Sequence, residues 1–122
     1  MDIHVDHIGD LAVVECQGRI FPNEAAFRLR DAVMSQAQAA GIVLDLSQVY
    51  TMDRGILFML LRLQRWAGEH HVELKLFNPT SFVRATFDEN GFSGEFQIAD
   101  SVDQIFAFRA RSAHLPVAVH AA

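Results

Sequence analysis

The chain has 122 residues, 51% of them apolar and 20% charged, enough for one domain with a real core and too apolar for wholesale disorder. Its net charge of −5, from ten Lys and Arg against fifteen Asp and Glu, argues against non-specific nucleic-acid binding, which depends on massed cations. The longest unbroken apolar run, Ile56–Leu61, is far shorter than the roughly 18 residues a membrane span needs.

Ile3 and Val5, then Leu11 and Val13, alternate with polar residues across Gly9-Asp10, which predicts two short strands joined by a hairpin. Gly18 through Pro22 breaks that pattern. Asn23 is a good N-cap for a helix running to about Ala40, with Gly41 stopping it. Ala26, Leu29, Val33, Ala37 and Ala40 give that helix one inward stripe. Ile42-Val43-Leu44-Asp45-Leu46 is almost continuously apolar, as expected of a strand buried on both faces of a parallel sheet.

Tyr50-Thr51-Met52-Asp53 leads into a second helix that ends near Gly68. Val72–Phe77 predicts another strand, and Asn78-Pro79-Thr80 opens a third helix that stops at Asn90-Gly91, where the glycine can take the left-handed conformation. Phe96-Gln97-Ile98 predicts a last strand. Ser101-Val102-Asp103-Gln104 has the spacing of a capping box and starts a helix presenting Val102, Ile105 and Phe106 and fading by about Ser112.

The order β-β-α-β-α-β-α-β-α predicts a single α/β domain over residues 1–112, a mostly parallel sheet with helices packed against it. An apolar tail, 113–122, is expected to be frayed or docked. Partners and ligands of such sheets meet the carboxyl ends of the strands and the helix N-termini that follow. The opening residues lack the basic-then-apolar pattern of a secretion signal, and Cys16 has no second cysteine to pair with, so a reducing, cytoplasmic setting is the expectation.

Catalytic patterns are weak. His70 and His71 are adjacent, with no Cys or carboxylate at ligand spacing, and His4 and His7 fall on opposite strand faces, so no metal is expected. No glycine-rich phosphate loop or nucleophile elbow is present, and Cys16 reads as a core filler. The only lysine, Lys75, lies inside a strand, which argues against a phosphate-accepting receiver domain. The expectation is a non-catalytic protein without a cofactor.

The second helix is the unusual segment. Ile56-Leu57-Phe58-Met59-Leu60-Leu61 is apolar all the way round, where a helix on a sheet needs one stripe. Leu57, Leu60 and Leu61, with Met59 behind them, can fill the inward side. Arg54, Phe58, Arg62 and Arg65 then form an outward basic stripe interrupted by one ring, a composition favoured at protein interfaces. Asp53 is a favourable N-cap, whereas Arg54 beside it has the wrong sign for the positive helix terminus. Backbone donors plus a guanidinium suit a partner's carboxylate or a phosphate.

The order of elements resembles the STAS domain, the fold of bacterial anti-sigma-factor antagonists and of sulfate-transporter cytoplasmic tails. The matching stretches are Ile42-Val43-Leu44-Asp45-Leu46-Ser47 with Val49, then Met52-Asp53-x-Gly55, Asn78-Pro79-Thr80, Gly91-Phe92 and Ser101-Val102-Asp103-Gln104-Ile105, together covering about residues 3–108. The resemblance implies a protein–protein switch. In that family a serine in an Asp-Ser-Ser-Gly-Leu motif is phosphorylated by a partner kinase that is also the anti-sigma factor, and phosphorylation ends the binding. Here the motif reads Asp53-Arg54-Gly55-Ile56-Leu57. Aligned without a gap, Gly55 stands at the acceptor; with one residue deleted, the acceptor is missing. Either way the usual phosphoserine cannot form. The acidic residue of the family's Gly-x-x-Asp loop is also absent, since Gly18-Arg19-Ile20 is followed by Phe21.

The expectation is a divergent member that docks a protein partner, an anti-sigma factor, serine kinase or other regulator, through Asp53, Arg54, Gly55, Phe58, Arg62 and Arg65. Thr51 is a candidate displaced phosphosite, with Ser47 a further nearby hydroxyl. Two other readings stand beside it: an accessory subunit of a lipid-transport ATPase, and a sensor binding a nucleotide or lipid at the strand ends. Self-association into a homodimer through the apolar helix is compatible with all three; nucleic-acid binding and membrane insertion are not expected.

Overall fold

In a computed structural model, which describes residues 2–20 and 24–105, alternating strands and helices build a five-stranded sheet. Strands β1 (Asp2–Ile8) and β2 (Leu11–Ile20) are followed by α1 (Glu24–Met34), β3 (Gly41–Met52), α2 (Arg54–Glu69), β4 (Glu73–Phe77), α3 (Ser81–Glu89) and β5 (Gln97–Ala99). Residues 102–105 form the first turn of a further helix. The predicted α/β fold is therefore the observed one.

The sheet order is β1-β2-β3-β4-β5, with β1 antiparallel to β2 and every later pair parallel. Gly9, at φ 62°, takes the first central position of the β1–β2 hairpin, where a two-residue loop of the II′ kind requires positive φ. The three crossovers all step in the same direction along the sheet. Since such crossovers are right-handed, α1, α2 and α3 must lie on one face. The core confirms it: Val14, Leu44 and Leu76 from the strands pack with Leu29, Leu60 and Phe87 from the three helices, all 0–1% exposed. Lys75, between Leu74 and Leu76 and so on the other face, reaches the Gln104 carbonyl at 3.5 Å, which lays the 102–105 turn across that side.

Several expected boundaries move. The first helix stops at Met34 rather than Ala40; residues 35–40 form turns, Ala40 is exposed, and its N–H is taken by the Asp10 carbonyl at 2.9 Å. That bond ties the segment to the hairpin and delivers Gly41 opposite Leu11. Gly18 does not end β2, which continues to Ile20 through two register shifts. β3 runs to Met52, so Tyr50-Thr51-Met52 is strand and not a lead-in: beyond Asp45, where β4 ends its pairing, β3 keeps its ladder with β2 alone.

On α2 the inward residues are Ile56, Leu57, Leu60, Leu63 and Ala67, whereas Leu61 and Met59 are only partly buried. The inward stripe is thus rotated from the expected one. Val102, expected to be presented by the last helix, is 56% exposed. Ser101 Oγ does accept the Gln104 N–H at 3.3 Å, but the Gln104 side chain reaches back to the N–H of Asp100 rather than of Ser101. Asn23, Phe21, Phe106 and the tail lie outside the described residues. No helix among the described residues is long and apolar enough to cross a membrane.

Candidate functional site

The carboxyl end of β3 and the start of α2 carry most of the residues singled out from the sequence. Met52 is buried and anchors the strand end, while Tyr50, Thr51 and Asp53 face solvent. Asp53 is extended, at φ −88° and ψ 175°, and its carboxylate accepts the Ile56 N–H at 3.0 Å. Its carbonyl accepts the first helical bond, from Leu57 at 3.1 Å. Asp53 is therefore the N-cap, as expected. The N–H groups of Arg54 and Gly55 find no acceptor among the described residues, so the positive end of the helix is open.

Phe58, one turn on, is 44% exposed and meets Phe92 edge-on, ring centroids 5.4 Å apart at 76°. Phe92 follows Gly91, whose φ of 71° turns the chain at the end of α3, and Phe92 is itself held by the Phe87 carbonyl at 2.9 Å. One flank of α2 is thus fastened to α3 through two rings, with nearly half of Phe58 left in water. Arg54, Arg62 and Arg65 are exposed, and none makes a hydrogen bond or ion pair among the described residues.

The expected stripe exists but is divided. Arg54, Phe58 and Arg65 lie within roughly 40° around the helix and form its outward crest. Arg62 leans to the α1 side, where it lines a trough with Arg30 and Phe27. The neighbouring hydroxyls differ too. Ser47 is partly buried, its Oγ donating to Asp45 at 2.6 Å and its N–H to the same oxygen at 2.9 Å. Thr51 is exposed, and its side chain makes no hydrogen bond among the described residues.

Other candidates hold structural posts. Cys16 is 1% exposed, and burial, helped by the nearby Asp45 charge, pushes its thiol up to about 12, which removes the thiolate a nucleophile needs. His70 caps α2, its Nδ1 donating to the Trp66 carbonyl at 2.9 Å, and His71 sits at φ 57° in the turn that follows. Three exposed rings escaped the sequence reading: Phe27 at 57%, Tyr50 at 60% and Phe82 at 71% exposure. For Phe82 the periodic pattern held a signal, because Val83 and Phe87 already fill the inward side of α3.

A family model described as the STAS domain matches residues 2–105. Among solved structures, a variant of RsbS from Moorella thermoacetica is similar at 15% identity and TM-score 0.76, covering 93% of this chain and 99% of that one. An anti-sigma factor antagonist from Mycobacterium paratuberculosis is similar at 18% identity and TM-score 0.73, over 87% of this chain and 91% of that one. The Bacillus cell fate determinant SpoIIAA in its phosphorylated form matches at 16% identity and TM-score 0.67, over 88% and 99%. At these identities the likeness is one of fold. A comparison with curated protein sequences finds no match.

Proposed function

This chain belongs to the STAS domain family, and from that premise we propose that it is a non-catalytic regulatory module resembling an anti-sigma-factor antagonist. It docks a partner protein, an anti-sigma factor, serine kinase or other regulator with an acidic surface, through the start and crest of α2. The supporting observation is the open helix start, where Arg54 and half-exposed Phe58 adjoin two backbone N–H groups, with no partner for the guanidinium or acceptor for those N–H groups among the described residues. Arginine and aromatic side chains are over-represented among residues that carry interface energy. Helix donors plus a guanidinium select a carboxylate or phosphate.

Asp53-Arg54-Gly55 has no hydroxyl at the position where the family's phosphoserine stands. Phosphate there would bring about −2 charge to the interface; Arg54 brings a positive charge instead. Docking is therefore insensitive to the kinase acting at that position, and Thr51 is the candidate for any displaced modification.

The test is binding to the anti-sigma kinases of the same organism, with and without ATP, followed by mass spectrometry. Wild-type chain binds in both conditions and carries no phosphate at residues 53–57. The Phe58→Ala, Arg54→Glu double variant binds at least about 30-fold more weakly, the loss of one interface hot spot. Unchanged binding by the double variant overturns the docking face.

A further inference from the structure

The flank of α2 turned toward α1 carries a feature that docking through the crest does not use. Both helices return from parallel strands on the same face, so they run side by side in the same direction. The trough between them is open to solvent and holds about 340 Å³, within the range of small-ligand sites. Phe27, Arg30 and Met34 form one wall; Met59, Arg62 and Trp66 form the other. Each wall repeats the same order at the same spacing: apolar, arginine three residues on, apolar four further. The floor is Ala26, Ile56 and Leu63, all buried.

The walls are left open rather than closed against each other. Phe27 is 57% and Met34 39% exposed, an apolar surface that folding alone would cover. Two methionines make the lining adaptable in shape. Arg30 lies over the Phe27 ring at 5.0 Å and is partly engaged by Asp31 at 3.2 Å, whereas Arg62 has no partner among the described residues. The two helices carry a net +2 on a chain of net −5, so the cations are concentrated here.

What the trough omits narrows the ligand. Among the described residues no carboxylate, hydroxyl or amide side chain lines it, so a sugar or a nucleobase would leave its polar edges unmatched there. A three-turn helix about 10 Å across occupies on the order of 1,000 Å³, too much to sink into this space. An alkyl chain with a single anionic head meets both conditions. The geometry points to a binding site for a single-chain anionic amphiphile, its carboxylate or phosphate head held between Arg30 and Arg62 and its chain lying along the apolar floor.

Trp66 is the only tryptophan, so its emission reports directly on the trough. The full chain is titrated with dodecanoate and, separately, dodecyl phosphate, below their micelle concentrations, with dodecanol and dodecyltrimethylammonium as controls. One or both anions give a saturable change in emission and raise the melting temperature, and the stronger of the two identifies the head. The neutral and cationic chains respond at least tenfold more weakly. Arg62→Glu and Phe27→Glu each weaken the anion tenfold or more; Phe27 is exposed and in the first turns of α1, where a glutamate is tolerated, so that variant keeps its fold. Phe58→Ala leaves the titration unchanged while it weakens partner docking, which keeps the two sites experimentally apart. A flat titration with both anions, an equal response to the cationic chain, or wild-type affinity in folded Phe27→Glu overturns the site.

Discussion

Both α2 and α3 follow a parallel strand, and both begin with a side-chain oxygen that takes the N–H three residues on: Asp53 from Ile56 at 3.0 Å, Thr80 from Val83 at 3.4 Å. Thereafter they diverge. On α3 the polar groups are turned back into the protein. Thr80 Oγ1 also donates to the Val49 carbonyl at 3.0 Å, Arg84 donates to the Pro79 carbonyl at 3.2 Å and pairs with Asp100, and Asn90 closes the helix on Thr86 at 2.8 Å. On α2 three arginines have no partner among the described residues. Each helix exposes a phenylalanine, Phe58 and Phe82, so an exposed ring by itself does not mark a docking surface. The proposed docking face rests instead on the cations left unpaired beside one among the described residues, because folding gains little from them.

The sharpest way to break that contrast is to compare inner and outer faces. Leu60→Ala and Phe87→Ala each remove a fully buried side chain and cost about 3–5 kcal/mol in urea denaturation, alike on the two helices. Phe58→Ala costs about 1 kcal/mol, since the ring is half in water and loses mainly its edge contact with Phe92. A Phe58→Ala cost equal to that of Leu60→Ala would make the ring a core residue and remove it from the docking face. The caps come next. Thr80→Ala loses a cap and leaves the Val49 carbonyl without its donor, about 2 kcal/mol, against about 1 kcal/mol for Asp53→Ala, whose cap serves α2 alone.

Cys16 lies in the core common to both helices and supplies a pH test. Its folded-state value, about 12, is above the ordinary 9.0, so the folded chain binds the thiol proton more tightly than the unfolded chain. The corresponding stability is fully present below about pH 9 and falls as pH rises toward 12, by about 1.4 kcal/mol per unit. Between pH 8 and pH 10, wild type therefore loses on the order of 1 kcal/mol more than Cys16→Ala. Equal losses in the two chains would place the thiol in contact with water.

Local patterns carried most of the fold. Gly9 announced the hairpin, Asp53 and Thr80 the helix starts, and the apolar run at Ile42 the central strand. What was missed depends on partners distant in sequence. β3 extends to Met52 because β2 continues beside it, and α1 stops at Met34 although Ala37 and Ala40 fit its stripe, because the Asp10 carbonyl takes the Ala40 N–H. The candidate site divides in the same way. Arg54, Phe58 and Arg65 could be placed on one crest by counting along one helix. The trough could not, since Phe27-Arg30-Met34 and Met59-Arg62-Trp66 become opposite walls only once two crossovers set their helices parallel.

The smallest expected change in stability carries the most direct test of the contrast. At the first position of α2, Arg54 opposes the helix dipole, and beyond the Asp53 cap no acidic residue in the first turn compensates for it. Arg54→Glu replaces an unfavourable charge with a favourable one, which raises stability by about 0.3–0.5 kcal/mol at low salt and less as salt screens it. The same substitution puts a negative charge on the proposed docking face for an acidic partner, and on that proposal it weakens the binding at least tenfold, whatever happens to Thr51. A residue kept for folding would show both quantities falling together. Arg54 separates them, with melting temperature rising while affinity falls, and a variant in which both rise would identify the crest of α2 as ordinary solvated surface.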